Sequence, residues 1–220
     1  MEYYDIHTHR THHDPHIREI ENIILRDGAG LPPLAPGRFY SAGIHPRCIP
    51  PNPPETGLIR RIEEQLRHPR IVAVGECGLD TFADSARSLQ NRIFQFQITL
   101  SETLRKPLII HCVKAWDEII RLHGSLRPAQ TWIIHGFRGK PQLAGMLLRH
   151  GMWLSVGIHF PLTLAQAVPL DRILPETDDD PEPVTAVYER MARSWNIPLP
   201  EVQAQMRENV TRLFPALSAR

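Results

Sequence analysis

Short apolar stretches, most of them followed by a histidine or an acidic residue, recur along this chain of 220 residues and constrain its fold more than any other feature. Such strand-length runs occur eight times and mostly alternate with segments of helical periodicity. They lie near residues 3–7, 20–25, 39–44, 70–76, 107–111, 131–135, 152–156 and 172–176. This alternation predicts an α/β protein with a (β/α)8 barrel, or TIM barrel, formed as a single domain by residues 1–220.

The helical periodicity predicts six helices, and one of the predicted strands has a pattern of its own. The helices are expected over residues 57–68, 86–105, 115–123, 141–150, 184–194 and 199–214. Residues 70–75 are almost continuously apolar, as in a parallel strand that is covered on both faces. The connection between the first two strands is too short for a full helix, so we expect a barrel shortened around its first βα unit.

Composition excludes several classes of protein. The formal net charge is +1 with 22% charged residues, which argues against a polycation that binds nucleic acid in bulk but permits a local basic cleft. Three scattered cysteines are too few for a disulfide framework. No apolar run approaches the length of a membrane span. These features predict a cytoplasmic protein without membrane contact, and they indicate no obligate protein partner.

Polar residues stand at the ends of six predicted strands. In a β-strand alternate side chains share a face, so His7 and His9 are expected to project to the same side. The carboxyl ends of barrel strands meet at one mouth, where catalytic residues lie. The strand-end residues are His7, His9, His45, Glu76, His111, His135 and Asp178. An isolated strand histidine is usually structural, but so many at one end of the strands favour a functional site.

This set of imidazoles and carboxylates offers more ligands than one tetrahedral ion needs. Two divalent ions sharing a bridging carboxylate would use it economically, and such a pair can hold a water as nucleophile. The mixture of nitrogen and oxygen ligands suits zinc, manganese, nickel or iron, with magnesium less natural beside so many imidazoles.

The chain resembles the TatD-like metal-dependent hydrolases of the amidohydrolase superfamily in a series of motifs that runs through nearly its whole length. The motifs are Asp5-Ile6-His7-Thr8-His9, Gly43-Ile44-His45-Pro46, Gly75-Glu76-Cys77-Gly78-Leu79-Asp80, Ile110-His111, His135-Gly136-Phe137-Arg138-Gly139, Glu176-Thr177-Asp178 and Asn209-Val210-Thr211-Arg212-Leu213-Phe214. Each motif alone is weak, but together and in this order they are highly specific.

The resemblance implies a binuclear metal site and a nuclease activity. It assigns His7, His9, Glu76 and Asp178 to one ion and Glu76, His111 and His135 to the other, with Glu76 bridging. Asp178 would also orient or deprotonate the attacking water, and His45 would contact a substrate phosphate. The implied activity is hydrolysis of phosphodiester bonds in DNA, as a 3′ to 5′ exonuclease.

Departures from the family pattern keep other functions open. The family usually has an arginine where this chain has Val113, and Lys114 is a possible substitute, while Arg138 adds positive charge near the predicted mouth. A small ester, amide or phosphate is therefore an alternative substrate, and a metal-binding scaffold without activity is a second alternative.

Other motif residues receive supporting roles. Asp80 is expected either to hydrogen-bond a ligand histidine or to cap the turn after Glu76. Glu176 is expected to face away from the site, because it lies two residues before Asp178. Asn209 is expected to fasten the last helix to the barrel.

Overall fold

A computed structural model describes residues 2–11, 14–26, 30–49 and 62–218. The strands are β1 (Tyr3–Thr8), β2 (Ile17–Ile24), β3 (Phe39–Gly43), β4 (Ile71–Asp80), β5 (Leu108–Val113), β6 (Trp132–Ile134), β7 (Trp153–Val156) and β8 (Ile173–Pro175). They form one sheet in the chain order β1 to β8. Eight parallel strands in this order are the strand arrangement of a (β/α)8 barrel, so the predicted fold class is confirmed.

The helices also follow the predicted periodicity. Residues 62–66 are helical and belong to α1, and the rest of the predicted helix 57–68 on its amino side lies outside the described residues. The others are α2 (Arg87–Leu104), α3 (Trp116–Leu126), α4 (Pro141–Arg149), α5 (Val184–Trp195) and α6 (Leu199–Leu213). In the described parts of the β1–β2 and β2–β3 connections there is no helix, as expected for a barrel shortened at its start.

Strand β2 begins earlier than the sequence pattern indicates. It starts at Ile17 rather than near residue 20, and it pairs in parallel with β1 from Tyr3 onward. The early part of the strand contains Arg18, whose guanidinium lies 3.2 Å from Glu2 Oε1. This charged pair interrupts the apolar run, which explains why the run alone predicts too short a strand.

The chain divides into two compact units. Unit 1 comprises residues 1–21 and 133–220, and unit 2 comprises residues 22–132. In unit 2, every residue of β4 is buried, as its apolar sequence predicts. Two glycines allow β4 to approach β5 closely: a Cβ on Gly75 would lie 2.4 Å from Ile109 O, and one on Gly78 would lie 2.1 Å from His111 O.

In unit 1, Asn209 joins α6 to the segment that leads into β8. Its side-chain amide is buried and donates to the carbonyl oxygens of Leu170 and Ile173, both at 2.8 Å. The neighbouring Arg212 donates to Asp171 O at 2.9 Å. These contacts confirm that Asn209 fastens the last helix.

No helix in the described part of the chain is both long and apolar enough to cross a membrane.

Replacing Asn209 with alanine is expected to lower the free energy of unfolding by about 2–4 kcal/mol, because two hydrogen bonds are lost and two carbonyl groups lose a buried partner. Urea unfolding followed by circular dichroism measures this change. The exposed Glu208→Ala on the same helix serves as the control and should stay within about 0.5 kcal/mol of wild type. A fall in Asn209→Ala no larger than in the control would contradict the fastening role.

Candidate metal centre

Unit 1 brings four of the predicted ligands into one group, the first cluster, formed by His7, His9, His135 and Asp178. Asp178 Oδ1 lies 3.6 Å from His7 Nε2 and 3.4 Å from His9 Nε2. The imidazole rings of His7 and His135 have centroids 4.4 Å apart. His7 is fully buried, whereas 31% of the Asp178 side chain is exposed, so the cluster opens toward solvent on its carboxylate side.

The backbone of β1 and the chain after β8 hold the first cluster together. Asp178 N donates to His7 O at 2.9 Å, and His9 N donates to Asp178 O at 3.2 Å. Asp178 has a φ of 57°, in the left-handed region that aspartate tolerates better than most residues. This turn at the end of β8 directs the Asp178 carboxylate toward both histidines of β1.

Asp5 is a buried supporting residue of this cluster whose role the sequence patterns did not predict. It accepts hydrogen bonds from Thr177 Oγ1 at 2.6 Å, from Thr177 N at 3.1 Å and from His7 N at 3.3 Å. Burial raises the pKa of Asp5 to about 7, although these hydrogen bonds favour the charged form. Asp5 therefore ties the residue before Asp178 to the strand that carries His7.

The expectation that Glu176 faces away from the site is wrong. Glu176 is fully buried, and its Oε1 lies 3.7 Å from His135 Nδ1. A spacing of two residues would place Glu176 and Asp178 on the same face of a strand, so it gives no reason for Glu176 to face away. The chain also leaves β8 at Pro175 and turns at Asp178. Burial disfavours the charged form of Glu176, but the nearby His135 and the hydroxyl of Ser155 outweigh it and hold its pKa below the usual range.

Unit 2 contains the second cluster, formed by His45, Glu76 and His111. Glu76 Oε1 lies 2.9 Å from His111 Nδ1 and 3.2 Å from His45 Nε2. The rings of His45 and His111 have centroids 4.4 Å apart. Glu76 is 3% exposed, so this carboxylate is surrounded by protein on almost all sides.

Asn22 on β2 positions Glu76, although no sequence motif drew attention to it. Its Oδ1 accepts a hydrogen bond from Glu76 N at 2.9 Å and one from Ser41 Oγ at 3.0 Å. Its Nδ2 donates to Glu76 Oε2 at 3.4 Å. Asn22 thus holds both the backbone and the carboxylate of Glu76, and it leaves Oε1 directed at the two histidines.

Asp80 orients His111 and also caps the turn after β4, so both expected roles occur together. Its Oδ2 lies 3.2 Å from His111 Nε2, and its Oδ1 accepts a hydrogen bond from Phe82 N at 2.8 Å. Burial opposes its ionisation, but hydrogen bonds from Phe82, Arg47 and His111 hold the pKa of Asp80 below its usual range. A charged Asp80 draws the imidazole proton to Nε2 and leaves the Nδ1 lone pair of His111 beside Glu76.

Asp80→Asn is expected to weaken divalent-metal binding about 10- to 100-fold, because the amide does not fix the tautomer of His111 as a carboxylate does. Titration of the metal-free protein with Zn²⁺ or Mn²⁺ by calorimetry measures the affinity. Asp84→Asn, in the same loop but exposed, is the matched control and should bind as wild type does. Equal affinity in both variants would contradict the orienting role of Asp80.

His45 differs from His111 in the ring nitrogen that it presents to Glu76, which is Nε2 in His45 and Nδ1 in His111. Its Nδ1 accepts a hydrogen bond from Arg47 N at 3.1 Å. The neutral ring must therefore carry its proton on Nε2, the atom that faces Glu76. A protonated Nε2 is a hydrogen-bond donor and not a metal ligand, which favours the substrate contact that the family resemblance implies for His45.

The spacing of donor atoms in both clusters suits a divalent cation. A tetrahedral ion with ligands at about 2.0–2.1 Å holds them about 3.4 Å from one another. The distances of 3.4 and 3.6 Å from Asp178 Oδ1 to His9 and His7 agree with this value. The separation of 2.9 Å between Glu76 and His111 is close to the roughly 3 Å expected between adjacent ligands of an octahedral ion.

Of the predicted substrate contacts, Lys114 and Arg138 are exposed, whereas His45 is buried. Lys114 follows β5, and its Nζ lies 4.8 Å from the centre of the Phe82 ring. Arg138 is exposed after β6. Val113, at the position of the usual family arginine, is half-buried at the end of β5. The roles of Lys114 and Arg138 stay predictions.

Two solved structures share the barrel fold of this chain. A crystal structure of the TatD homologue YJJV from Escherichia coli K12 superposes with a TM-score of 0.76, covering 97% of this chain and 98% of that chain at 20% identity. A TatD family hydrolase from Entamoeba histolytica superposes with a TM-score of 0.71 at 13% identity. Both comparisons agree with the barrel topology described above.

Residues 34–215 match the family model of the TatD related DNases, and the chain belongs to that family. The human 3′-5′ RNA nuclease TATDN2 is 31% identical over 183 residues, which are 70% of this chain and 24% of that protein. The Bacillus subtilis metal-dependent hydrolase YabD is 30% identical over 175 residues, 70% of this chain and 69% of that protein. The 3′-5′ ssDNA/RNA exonuclease TatD of Musicola paradisiaca is 33% identical over 160 residues, which are 66% of this chain and 58% of that protein.

Proposed function

We propose that this protein is a divalent-metal-dependent hydrolase that cleaves phosphodiester bonds from the 3′ end of single-stranded nucleic acid. The observation that carries the proposal is the pair of imidazole and carboxylate clusters, each at the carboxyl ends of barrel strands, in a member of the TatD family. The names of the human and Musicola paradisiaca relatives support a nucleic-acid substrate and include RNA as well as DNA.

Two divalent ions are proposed as cofactors, with zinc, manganese, nickel and magnesium as the candidates. His7, His9, His135 and Asp178 would hold one ion in unit 1, and Glu76 and His111 would hold one in unit 2. That Glu76 also serves the first ion, and that His135 serves the second, are implications of the family resemblance and stay predictions. When bound, such ions lower the pKa of water and neutralise charge that develops on a phosphoryl oxygen.

The protein side chains supply proton transfer and orientation. Asp178 is the most exposed carboxylate of the two clusters, and it is proposed to accept a proton from the attacking water. His45 carries its proton on Nε2 and is proposed to donate a hydrogen bond to a phosphate oxygen. Asp80 lies 3.2 Å from His111 Nε2 and is proposed to keep the His111 proton on the nitrogen that faces away from the ion. Glu176 lies 3.7 Å from His135 Nδ1 and is proposed to orient that ring electrostatically.

A small phosphate, ester or amide is the second candidate substrate. Val113 supports this alternative, because it lacks the guanidinium that could bind a second phosphate of a polymer. Lys114 is exposed next to Val113 and is proposed to supply the positive charge that the arginine would have provided. Arg138, exposed after β6, is proposed to supply positive charge in unit 1. Lysine binds phosphate as a point charge, without the two parallel hydrogen bonds of arginine, so weaker binding of long substrates is expected.

The experiment that tests the proposal is hydrolysis of a 5′-labelled single-stranded oligonucleotide by metal-reconstituted protein, beside bis-p-nitrophenyl phosphate. Stepwise shortening from the 3′ end, abolished by a chelator and restored by metal, is the expected result. Cleavage of the small diester with an intact oligonucleotide would move the assignment to small substrates. No hydrolysis of either by the metal-loaded protein would overturn the proposed function.

A further inference from the structure

Phe82 is an exposed aromatic residue beside the second cluster, and no motif or relative assigns it a role. Its side chain is 61% exposed, more than the two other large hydrophobic residues that are exposed in the described part of the chain, Leu162 at 53% and Leu126 at 49%. Exposure of a phenylalanine ring to water is unfavourable, so covering the ring with a ligand would contribute favourable hydrophobic free energy to binding.

The backbone of Phe82 is anchored to the residue that orients His111. Phe82 N donates to Asp80 Oδ1 at 2.8 Å, and the other oxygen of the same carboxylate lies 3.2 Å from His111 Nε2. Phe82 therefore follows directly on the carboxyl end of β4, separated from the second cluster by one carboxylate. A nucleotide bound at Phe82 would therefore lie near the second cluster.

One cation lies over this ring, and two others contact the residues just before Phe82. Lys114 Nζ lies over the ring, 4.8 Å from its centre, a distance typical of a cation–π contact. Arg87 donates to Thr81 Oγ1 at 2.7 Å, and Arg47 Nε lies 2.6 Å from Asp80 Oδ2. The opposing carboxylates are the buried Asp80, Asp84 in the same loop and Glu118, which lies 3.8 Å from Arg87. An aromatic ring among cations is the combination that proteins use to bind single strands: bases stack on the ring, and cations contact the phosphates.

We propose that Phe82 and Lys114 form a stacking site for a base of single-stranded DNA or RNA. The base lies on the exposed ring of Phe82, and Lys114 contacts an adjacent phosphate. This inference deepens the proposed function and rests on it for the identity of the substrate. Stacking tolerates any base, because every base has a π face, so the site selects unpaired ends rather than a sequence.

Binding of a fluorescein-labelled single-stranded 12-mer to the 220-residue, metal-free chain, measured by anisotropy, tests the stacking site without hydrolysis. Phe82→Ala is expected to raise Kd roughly 5- to 150-fold, the range found when a stacking residue is lost. Phe82→Trp should bind at least as tightly as wild type, and Phe82→Leu should lose affinity although it stays apolar. Leu162→Ala, which removes another exposed apolar side chain, is the matched control with unchanged Kd.

A strand whose bases are replaced by abasic sites separates stacking from phosphate binding. Wild type and Phe82→Ala should bind it equally, because it has no base to stack. If Phe82→Ala binds the normal 12-mer as wild type does, with unchanged thermal stability, the stacking site is overturned while exonuclease activity can still be observed. If wild type cleaves no phosphodiester, the proposed function fails, and the Kd ratio of the two strands still decides the role of Phe82.

Discussion

Asp178→Asn is expected to lower kcat for oligonucleotide hydrolysis by about 10²- to 10⁴-fold, the usual contribution of a positioned general base. Asparagine keeps the shape of the side chain and one oxygen near His7 and His9, but it cannot accept a proton. The left-handed backbone at this position also tolerates asparagine, so the turn after β8 should persist. Initial rates at saturating substrate, measured together with the metal content, test the prediction.

The metal content distinguishes the proton-accepting role from a purely structural one. Asp178→Asn should retain part of the bound metal, because the three histidines of the first cluster stay in place. Asp117→Asn, an exposed substitution on α3, is the matched control and should keep wild-type kcat. A kcat within a factor of three of wild type in Asp178→Asn would show that another group accepts the proton.

Glu76→Ala is the second substitution with a large expected effect. It should reduce kcat/KM on the order of 10³-fold or more, because a catalytic metal ion contributes several kcal/mol of charge stabilisation. Glu76 supplies the carboxylate of the second cluster, 2.9 Å from His111, and Asn22 holds it in that position. Without it, the second cluster keeps its two histidines but loses the carboxylate that would contact the cation.

Metal analysis of Glu76→Ala also tests the bridging role that the family resemblance implies. Loss of both ions is the expected result for a bridging carboxylate, and loss of one ion would confine Glu76 to the second cluster. Glu76→Gln should lose affinity as well, because it is isosteric but uncharged, whereas the exposed Glu64→Ala on α1 should bind metal as wild type does. Full metal content in Glu76→Ala would contradict its assignment as a ligand.

The fold was predictable from sequence because each element carries a strong local pattern. The helical periodicity of α2 and α6 is a property of consecutive residues, and the structure reproduces the bounds of both helices closely. The apolar run predicts the start of β4 but not its end, because the strand continues through Glu76 to Asp80. The first residues of β2 were not predicted, because Arg18, which pairs with Glu2, is a charged residue that interrupts the apolar pattern. Local patterns therefore predict an element well unless a contact with a distant residue stabilises it.

The supporting residues of the clusters were less predictable than the predicted ligands. Asn22 stands in an apolar run with no motif of its own, and its partner Glu76 is 54 positions away. Glu176 was given the wrong orientation, because its partners His135 and Ser155 are distant in the sequence and its spacing from Asp178 does not reveal them. Such roles depend on tertiary contacts, which the spacing of residues in one sequence does not contain.

The central claim is that bound divalent metal enables this protein to hydrolyse phosphodiester bonds. Its most direct test is to measure the initial rate of single-stranded oligonucleotide hydrolysis against the number of metal equivalents added to chelator-stripped protein. No hydrolysis is expected without metal, and the initial rate is expected to rise to a plateau at two metal equivalents per chain. Full activity of the stripped protein in excess chelator would contradict it.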